Sequence, residues 1–303
     1  MAVRQSTILV AGVVALLVGC VPPTKQNSAT PAVQISFLER RATFKTNLTR
    51  RGPTPQDWQK ETPPPGVRQI TYQSGSIQLP AWFYVPVVPG GQKVPAVVYF
   101  HGGFAFGASD FHDCKPFLDA GFAVMCPMLR GENGNPGDFE FALGEVDDGK
   151  AAVKWIASQP EIDSAHVYTF GHSSGGMISS LLSLLDDVPA RHGGSSGGLY
   201  GPELDVWPRG FEPFDVRSEE ERQMRSLVGN LRDMQRDHYA YVGNSDMIVP
   251  NIARAKSEAA GTKARLHTFE IPGDHHTSLP LAMQEYVKVI QADLQGASDS
   301  KGK

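Results

Sequence analysis

Cysteine is scarce in this chain: Cys20, Cys114 and Cys126 are the only three among 303 residues. So few thiols exclude a disulfide framework, and no cysteine–histidine spacing matches a zinc site, so no metal is expected. An excess of charge of one sign is also missing. There are 28 Lys and Arg against 32 Asp and Glu, a formal net charge of −4. That balance, with no long like-charge block, argues against a nucleic-acid partner, which calls for a basic patch or stripe. No internal repeat at solenoid or propeller spacing is present. What is there in quantity is apolar: 41% hydrophobic residues, enough core for one large α/β domain or two small ones.

The one sustained apolar run is N-terminal. Arg4 precedes Ile8–Val18, broken only by Gly12. It is short for a bilayer span and has the form of a signal-peptide core. It ends in Leu17-Val18-Gly19-Cys20, which resembles the bacterial lipobox, in which the cysteine is lipidated and becomes the mature N-terminus. Residues 1–20 are therefore expected to be a lipoprotein signal peptide, with Cys20 as the lipidation site. Val21 stands where an inner-membrane retention signal has aspartate, so the expected location is the bacterial cell envelope, at the outer membrane, with a membrane partner through the lipid. Residues 21–66 are rich in Pro, Thr, Gln and Asn and end in Pro63-Pro64-Pro65-Gly66, a composition that suits an extended tether. A short helix over 37–46 is expected to dock on the domain.

From 67 the pattern changes. Val67–Gln73 and Gln78–Val85 flank Ser74-Gly75-Ser76 as a β-hairpin. Val94–Phe100 is nearly all apolar, as in a strand covered on both faces. Further strands are predicted at Phe122–Cys126, His166–Phe170, His238–Val242 and Leu266–Ile271, with a sixth of the parallel set somewhere in 189–215. Helices are predicted at Phe111–Ala120, along Ala142, Val146, Gly149, Val153 and Ile156 up to Pro160, at Gly175–Leu185, at Ser218–Arg236, and along Met283, Val287, Ile290 and Leu294. Strand–helix alternation predicts a mainly parallel twisted sheet with helices on both faces, whose sites lie at the carboxyl ends of the strands. The catalytic domain is expected over 67–296, with 297–303 as a disordered tail.

Gly171-His172-Ser173-Ser174-Gly175-Gly176 follows a predicted strand and opens a predicted helix, the context a nucleophile elbow needs. The glycines leave room for a sharp turn that pushes Ser173 Oγ out at the strand tip. His101-Gly102-Gly103-Phe104 follows Val94–Phe100 as an oxyanion loop, with one donor expected from Gly103 or Phe104 and the other from the Ser174 amide. Asp246 and His275 each follow a predicted strand, completing the order Ser, Asp, His. His275 is expected to take the proton of Ser173, and Asp246 to fix its tautomer. His276 is expected at the rim and Asp274 in a turn. Asp147-Asp148 reads as a solvated pair, and Glu219–Glu221 as acidic residues at a helix start. His112, His166, His192 and His238 have no triad spacing. Trp82, Trp155 and Trp207 read as packing. Cys126 ends an apolar run and reads as a buried thiol, a bridge to Cys114 being left to geometry.

Four stretches carry a family resemblance: Val167–Gly176, Arg130-Gly131 with Gly144-Glu145-Val146-Asp147-Asp148, Gly243–Pro250, and Pro272-Gly273-Asp274-His275. They resemble the catalytic domain of prolyl-oligopeptidase-like and dienelactone-hydrolase-like proteins over roughly 67–295. The resemblance implies an α/β-hydrolase fold and the roles of Ser173, Asp246 and His275. The chain departs from it in two ways. About 45 residues of tether cannot build the β-propeller of the peptidases, and serine stands where dienelactone hydrolases use cysteine. A small-molecule carboxylester is thus the default substrate. A short peptide is the alternative, and a non-catalytic surface lipoprotein on the same fold is a third. No cofactor is expected.

Overall fold

The computed structural model describes residues 35–201 and 211–301. The signal segment, Cys20 and Trp207 lie outside the described residues. Among those described, no helix is long and apolar enough to cross a membrane.

The chain enters as helix α1 (Phe37–Thr43), closed by a capping box in which Ser36 and Glu39 satisfy each other's backbone amides. Strands β1 (Arg68–Ser74) and β2 (Ile77–Tyr84) form the expected hairpin, with Ser74 opposite Ile77. β3 (Val94–Phe100) comes next, then two short helices, α2 (Ala108–Asp113) and α3 (Lys115–Asp119), and β4 (Ala123–Pro127). After these come α4 (Gly144–Ala157), β5 (Ile162–His172), α5 (Ser174–Leu182), β6 (Gly193–Ser196) and α6 (Glu219–Gln223). β7 (His238–Gly243), α7 (Val249–Thr262), β8 (Leu266–Ile271) and α8 (Leu279–Lys301) complete it.

The eight strands make one sheet in the order β1-β2-β4-β3-β5-β6-β7-β8. The first two pairings are antiparallel and the rest parallel. This is the α/β-hydrolase fold. β3 shows why the sheet needs two layers of helices. Its residues alternate in direction, so Ala96, Val98 and Phe100 join a core with α4 and α5, while Val97 and Tyr99 join another with α2, α3 and α8. Each side chain is at most 1% exposed, which accounts for an uninterrupted apolar run.

Several expectations need correction. The predicted helix at 111–120 breaks at Cys114 into α2 and α3. That at 218–236 shrinks to α6, which ends at its cap Met224, after which the chain passes Gly229 (φ 89°) into a 3-10 turn at Leu231–Asp233. α7 has no counterpart among the predicted helices: its apolar residues are sparse, and only Ile252 and Ala255 are buried. The last helix carries Met283, Val287, Ile290 and Leu294 as expected and runs from Leu279 to Lys301. The helix expected over 37–46 is present as α1 and docks as expected, and residues 35–66 belong to the same compact unit as the sheet. Phe37 is buried, its amide donates to Asp233 (2.7 Å), and the buried Glu221 accepts from Thr46 and Asn47 (2.9 and 2.7 Å). Asp148 is not solvated. It is fully buried and accepts from Ser74 Oγ (2.6 Å), Arg130 Nη2 (2.8 Å) and Arg130 N (3.0 Å), while exposed Asp147 pairs with Arg41. A buried carboxylate persists because its lone pairs are all met.

Candidate active site

The elbow at the end of β5 is built by steric exclusion. Ser173 has φ 52° and ψ −117°, a strained conformation for a residue with a side chain. It is tolerated because the strand and helix close around it. A Cβ on Gly171 would lie 2.0 Å from the Gly175 carbonyl oxygen, and one on Gly175 would lie 2.1 Å from that of Phe100. Only glycines permit α5 to start so close to β3 and β5. All nine residues of α5 are buried.

Asp246 and His275 sit on the loops after β7 and β8, which the parallel order brings beside β5. His275 Nδ1 lies 2.8 Å from Asp246 Oδ2. The Asp246 side chain is fully buried and its other oxygen accepts from the Ile248 amide (3.1 Å). Gly197, just past β6 with φ 59°, makes room: a Cβ there would lie 2.9 Å from the His275 ring. His276 is exposed, and Asp274 is a turn residue accepting from the amides of His276 and Thr277. Of the two adjacent histidines, His275 is thus the one joined to the carboxylate. Ser173 Oγ has no hydrogen-bond partner among the described residues. In free enzymes such bonds often tighten only around substrate.

His172, the elbow residue before Ser173, packs against the base. Its ring centroid is 4.8 Å from that of His275. Nδ1 is 3.1 Å from the Ser196 carbonyl oxygen, and Nε2 is buried without a partner among the described residues. Burial and the neighbouring His275 push its pKa down to about 3. On the other side, His101 ends β3, with Nε2 3.2 Å from Glu132 and Nδ1 2.9 Å from its neighbour's carbonyl, that of Gly102. Burial opposes its charge, yet Glu132 outweighs burial and holds the pKa up at about 10.

The loop after β3 passes against the elbow. Ser174 Oγ donates to the Gly103 carbonyl (2.6 Å). The Phe104 amide donates to Gln56 Oε1 (2.8 Å). The amides of Gly103 and Ser174 have no partner among the described residues. Of the two loop donors left open by sequence, Phe104 is therefore occupied and Gly103 free. Behind this loop lies a cavity of about 20 Å³ lined by Phe104, Phe139, Phe141, Met177 and Leu199, with Glu145 among its walls. Burial raises Glu145 to about 7, against two backbone amides that stabilise its charge.

The sequence pattern does not single out Gln56, Glu132, His172 or Gly197. The first two act through contacts 48 and 31 residues away in sequence, which no local spacing reveals. His172 is in plain view as the variable position of the elbow. The other histidines hold structure: His166 meets Asp163, His192 meets Tyr286 and His238 meets Ser195. Trp82 is buried against Phe106 and Phe111, and Trp155 packs on Phe83. Glu219–Glu221 form the first turn of α6 after the cap Ser218. No group of three or more His, Cys, Asp and Glu among the described residues is placed to hold a metal ion.

The fold and this arrangement define an α/β-hydrolase. Comparison with known proteins narrows the setting. Residues 74–190 match the family of X-Pro dipeptidyl-peptidases (S15), a stretch that includes the His101 loop and Ser173. The chain is 23% identical over 173 residues to an uncharacterized peptidase, YtmA, of Bacillus subtilis, spanning 57% of this chain and 63% of that protein, less than two thirds of its length. Among solved structures it is similar to the acylaminoacyl peptidase of Pyrococcus horikoshii, with TM-score 0.59 and 16% identity over 76% of this chain but 40% of that one. A thermophilic esterase of Thermogutta terrifontis, solved with butyrate, gives TM-score 0.59 and 19% identity over 77% of this chain and 95% of that one. These likenesses are to peptidases and esterases built on the α/β-hydrolase fold.

Proposed function

We propose that the chain is a serine hydrolase that cleaves acyl bonds through Ser173, His275 and Asp246, with a carboxylester as substrate. The observation that carries this reading is the 2.8 Å contact between His275 Nδ1 and buried Asp246, beside a serine held at positive φ on an elbow. Asp246 fixes the proton on Nδ1, which leaves Nε2 as the base that takes the proton of Ser173. Ser173 Oγ attacks the acyl carbonyl, the oxyanion is held by the Gly103 and Ser174 amides, and His275 returns the proton to the leaving group. Water then clears the acyl-enzyme by the same steps. The small apolar cavity behind Gly103 has room for about one water-sized group, which favours a short acyl chain. The peptide alternative is supported by the matched family and the peptidase relative.

Purified protein on p-nitrophenyl esters of rising length, beside Ser173→Ala, tests the reading. Turnover with the shortest esters, reduced about a million-fold in Ser173→Ala, is expected. Turnover on peptides but not esters would replace the ester with a peptide substrate. Turnover that survives the mutation would defeat the mechanism, and no turnover on esters or peptides in either protein would favour the non-catalytic alternative. We further propose lipid anchoring at Cys20 in the cell envelope, for which the lipobox is the support: Cys20→Ala should leave turnover intact and release the enzyme from membranes.

A further inference from the structure

Segment 52–61, expected to be part of a tether, reaches the catalytic loop. The backbone partners of that loop show what the segment does there. The Gly102 carbonyl is held by His101 Nδ1 (2.9 Å) and the Gly103 carbonyl by Ser174 Oγ (2.6 Å). The Phe104 amide is held by Gln56 Oε1 (2.8 Å). Both polar groups of Phe106 are held by Asn133 (2.8 Å each). The amides of Gly107 and Ala108 are held by Asp110 (2.7 Å) and Glu61 (2.6 Å).

The Gly103 carbonyl and the Phe104 amide belong to one peptide unit. Ser174 grips one end of it and Gln56 the other, so the unit cannot turn over. The preceding unit is gripped only at its oxygen, by His101, which leaves its hydrogen end, the Gly103 amide, unpartnered among the described residues. Without Gln56 this clamp would be one-sided, at the place where it matters most. Gly103 has φ 73°, and a glycine has alternative backbone wells of similar energy that a branched or bulky residue does not. A Cβ at Gly103 would also lie 2.8 Å from Gln56 Oε1, so the two residues are fitted to each other.

We propose that Gln56 is a positioning residue of the proposed hydrolase: by holding the Phe104 amide it locks the 103–104 peptide and aims the Gly103 amide at the oxyanion. The inference rests on the Ser173 reading above. Gln56 is exposed, so its replacement leaves the fold intact. Its effect is felt in turnover, because a misaimed donor is lost mainly in the transition state.

The test is Gln56→Met in the full-length protein, which keeps the length of the side chain and removes the strong acceptor. Losing an oxyanion donor outright typically costs about 10²–10³-fold in kcat, so misaiming one should cost roughly tenfold. The expected result is that loss in kcat with KM changed less than about twofold, an unchanged melting temperature, and faster hydrogen exchange at the Phe104 amide. Wild-type kcat in Gln56→Met, with turnover still dependent on Ser173, overturns the positioning role and leaves the hydrolase standing. Unchanged Phe104 exchange overturns the clamp itself. A wild-type protein without Ser173-dependent turnover defeats the hydrolase, and the catalytic role of Gln56 falls with it, whatever the exchange arm shows.

Discussion

Two buried histidines adjoin the nucleophile, His101 opening the oxyanion loop and His172 preceding Ser173 with its ring against that of His275, and they carry different charge states. Burial acts on both in the same direction, against the imidazolium. The difference is the partner. His101 faces the Glu132 carboxylate and is held at about 10. His172 faces the Ser196 carbonyl and His275, with Nε2 unmet, and falls to about 3. At neutral pH one side holds a compensated cation and the other a neutral ring. That division suits the proposed chemistry. Negative charge develops on the oxyanion side, while a charged His172 would oppose the proton that His275 must gain.

The largest expected effect breaks the base side. Asp246→Asn keeps the shape but no longer fixes the Nδ1–H tautomer of His275. About a 10⁴-fold loss of kcat is expected, read on the same esters as Ser173→Ala. A loss below tenfold would remove Asp246 from the mechanism.

The next breaks the oxyanion side. Glu132→Gln strips His101 of its counter-charge, and breaking a buried pair costs about 3 kcal/mol. The pH dependence carries the sharper signature. His101 is raised above its unfolded value of about 6.5, so its contribution is fully present below pH 6.5 and is lost as pH rises through about 10. Urea unfolding should show the wild type weakening between pH 7 and 10 and the variant changing much less across that window. Parallel profiles would mean that His101 is neutral in the native protein.

These contrasts also mark what is legible in the sequence. The elbow and the two loop residues that complete it can be read because each obeys a local rule: a glycine pattern at a strand end, or a polar residue just past an apolar run. β3 and β4 are legible because a strand covered on both faces has no polar alternation, whereas β6 is Gly-Gly-Ser-Ser with no apolar run to mark it. The charge states of His101 and His172 are not, because both are set by partners on other elements. Asp148 escapes on the same ground. Its surroundings are defined by Ser74 and Arg130, which the helix pattern does not contain. The docked helix near 37–46 is legible, and Phe37 and Thr46 reach Asp233 and Glu221; the contacts of 52–61 are not, because its prolines and polar residues suit a tether while Gln56 and Glu61 meet the loop after β3.

A smaller effect sharpens the base side. His172, His192 and His238 are held down at about 3, 4 and 3, burial being the first cause in each. A depressed histidine contributes stability above pH 6.5 that is lost as pH falls toward the native value, because the unfolded chain binds the proton first. Glu145 acts oppositely: raised to about 7, its carboxyl keeps a proton in the native state between pH 4.5 and 7. Between pH 6.5 and 5 the balance is three protons against one, so stability should fall by up to roughly 2–3 kcal/mol per pH unit. His172→Gln should flatten that slope by about one proton. Urea midpoints at pH 7, 6 and 5 decide it, and a slope unchanged by the mutation would mean that His172 is charged when folded.

The smallest effect concerns Cys114 and Cys126, on the layer of the sheet beyond the oxyanion loop. Their sulfurs are 3.4 Å apart, both are buried, and both are free thiols. Burial pushes the Cys114 thiol well up, and the thiolate is the reactive form. Both thiols are buried away from reagent, so native protein at pH 8 should leave both unlabelled by iodoacetamide, and both should label once unfolded in urea without reductant. Labelling of neither in urea would mean a disulfide. Because the buried Cys114 side chain meets only Cys126 and the Asp110 carbonyl through its sulfur among the described residues, Cys114→Ala should cost about 1 kcal/mol, the scale of a small buried group, and leave kcat unchanged. A fall in kcat would show that the junction of α2 and α3 bears on the loop before it, and would extend the clamp around Gly103 into this second layer of the sheet.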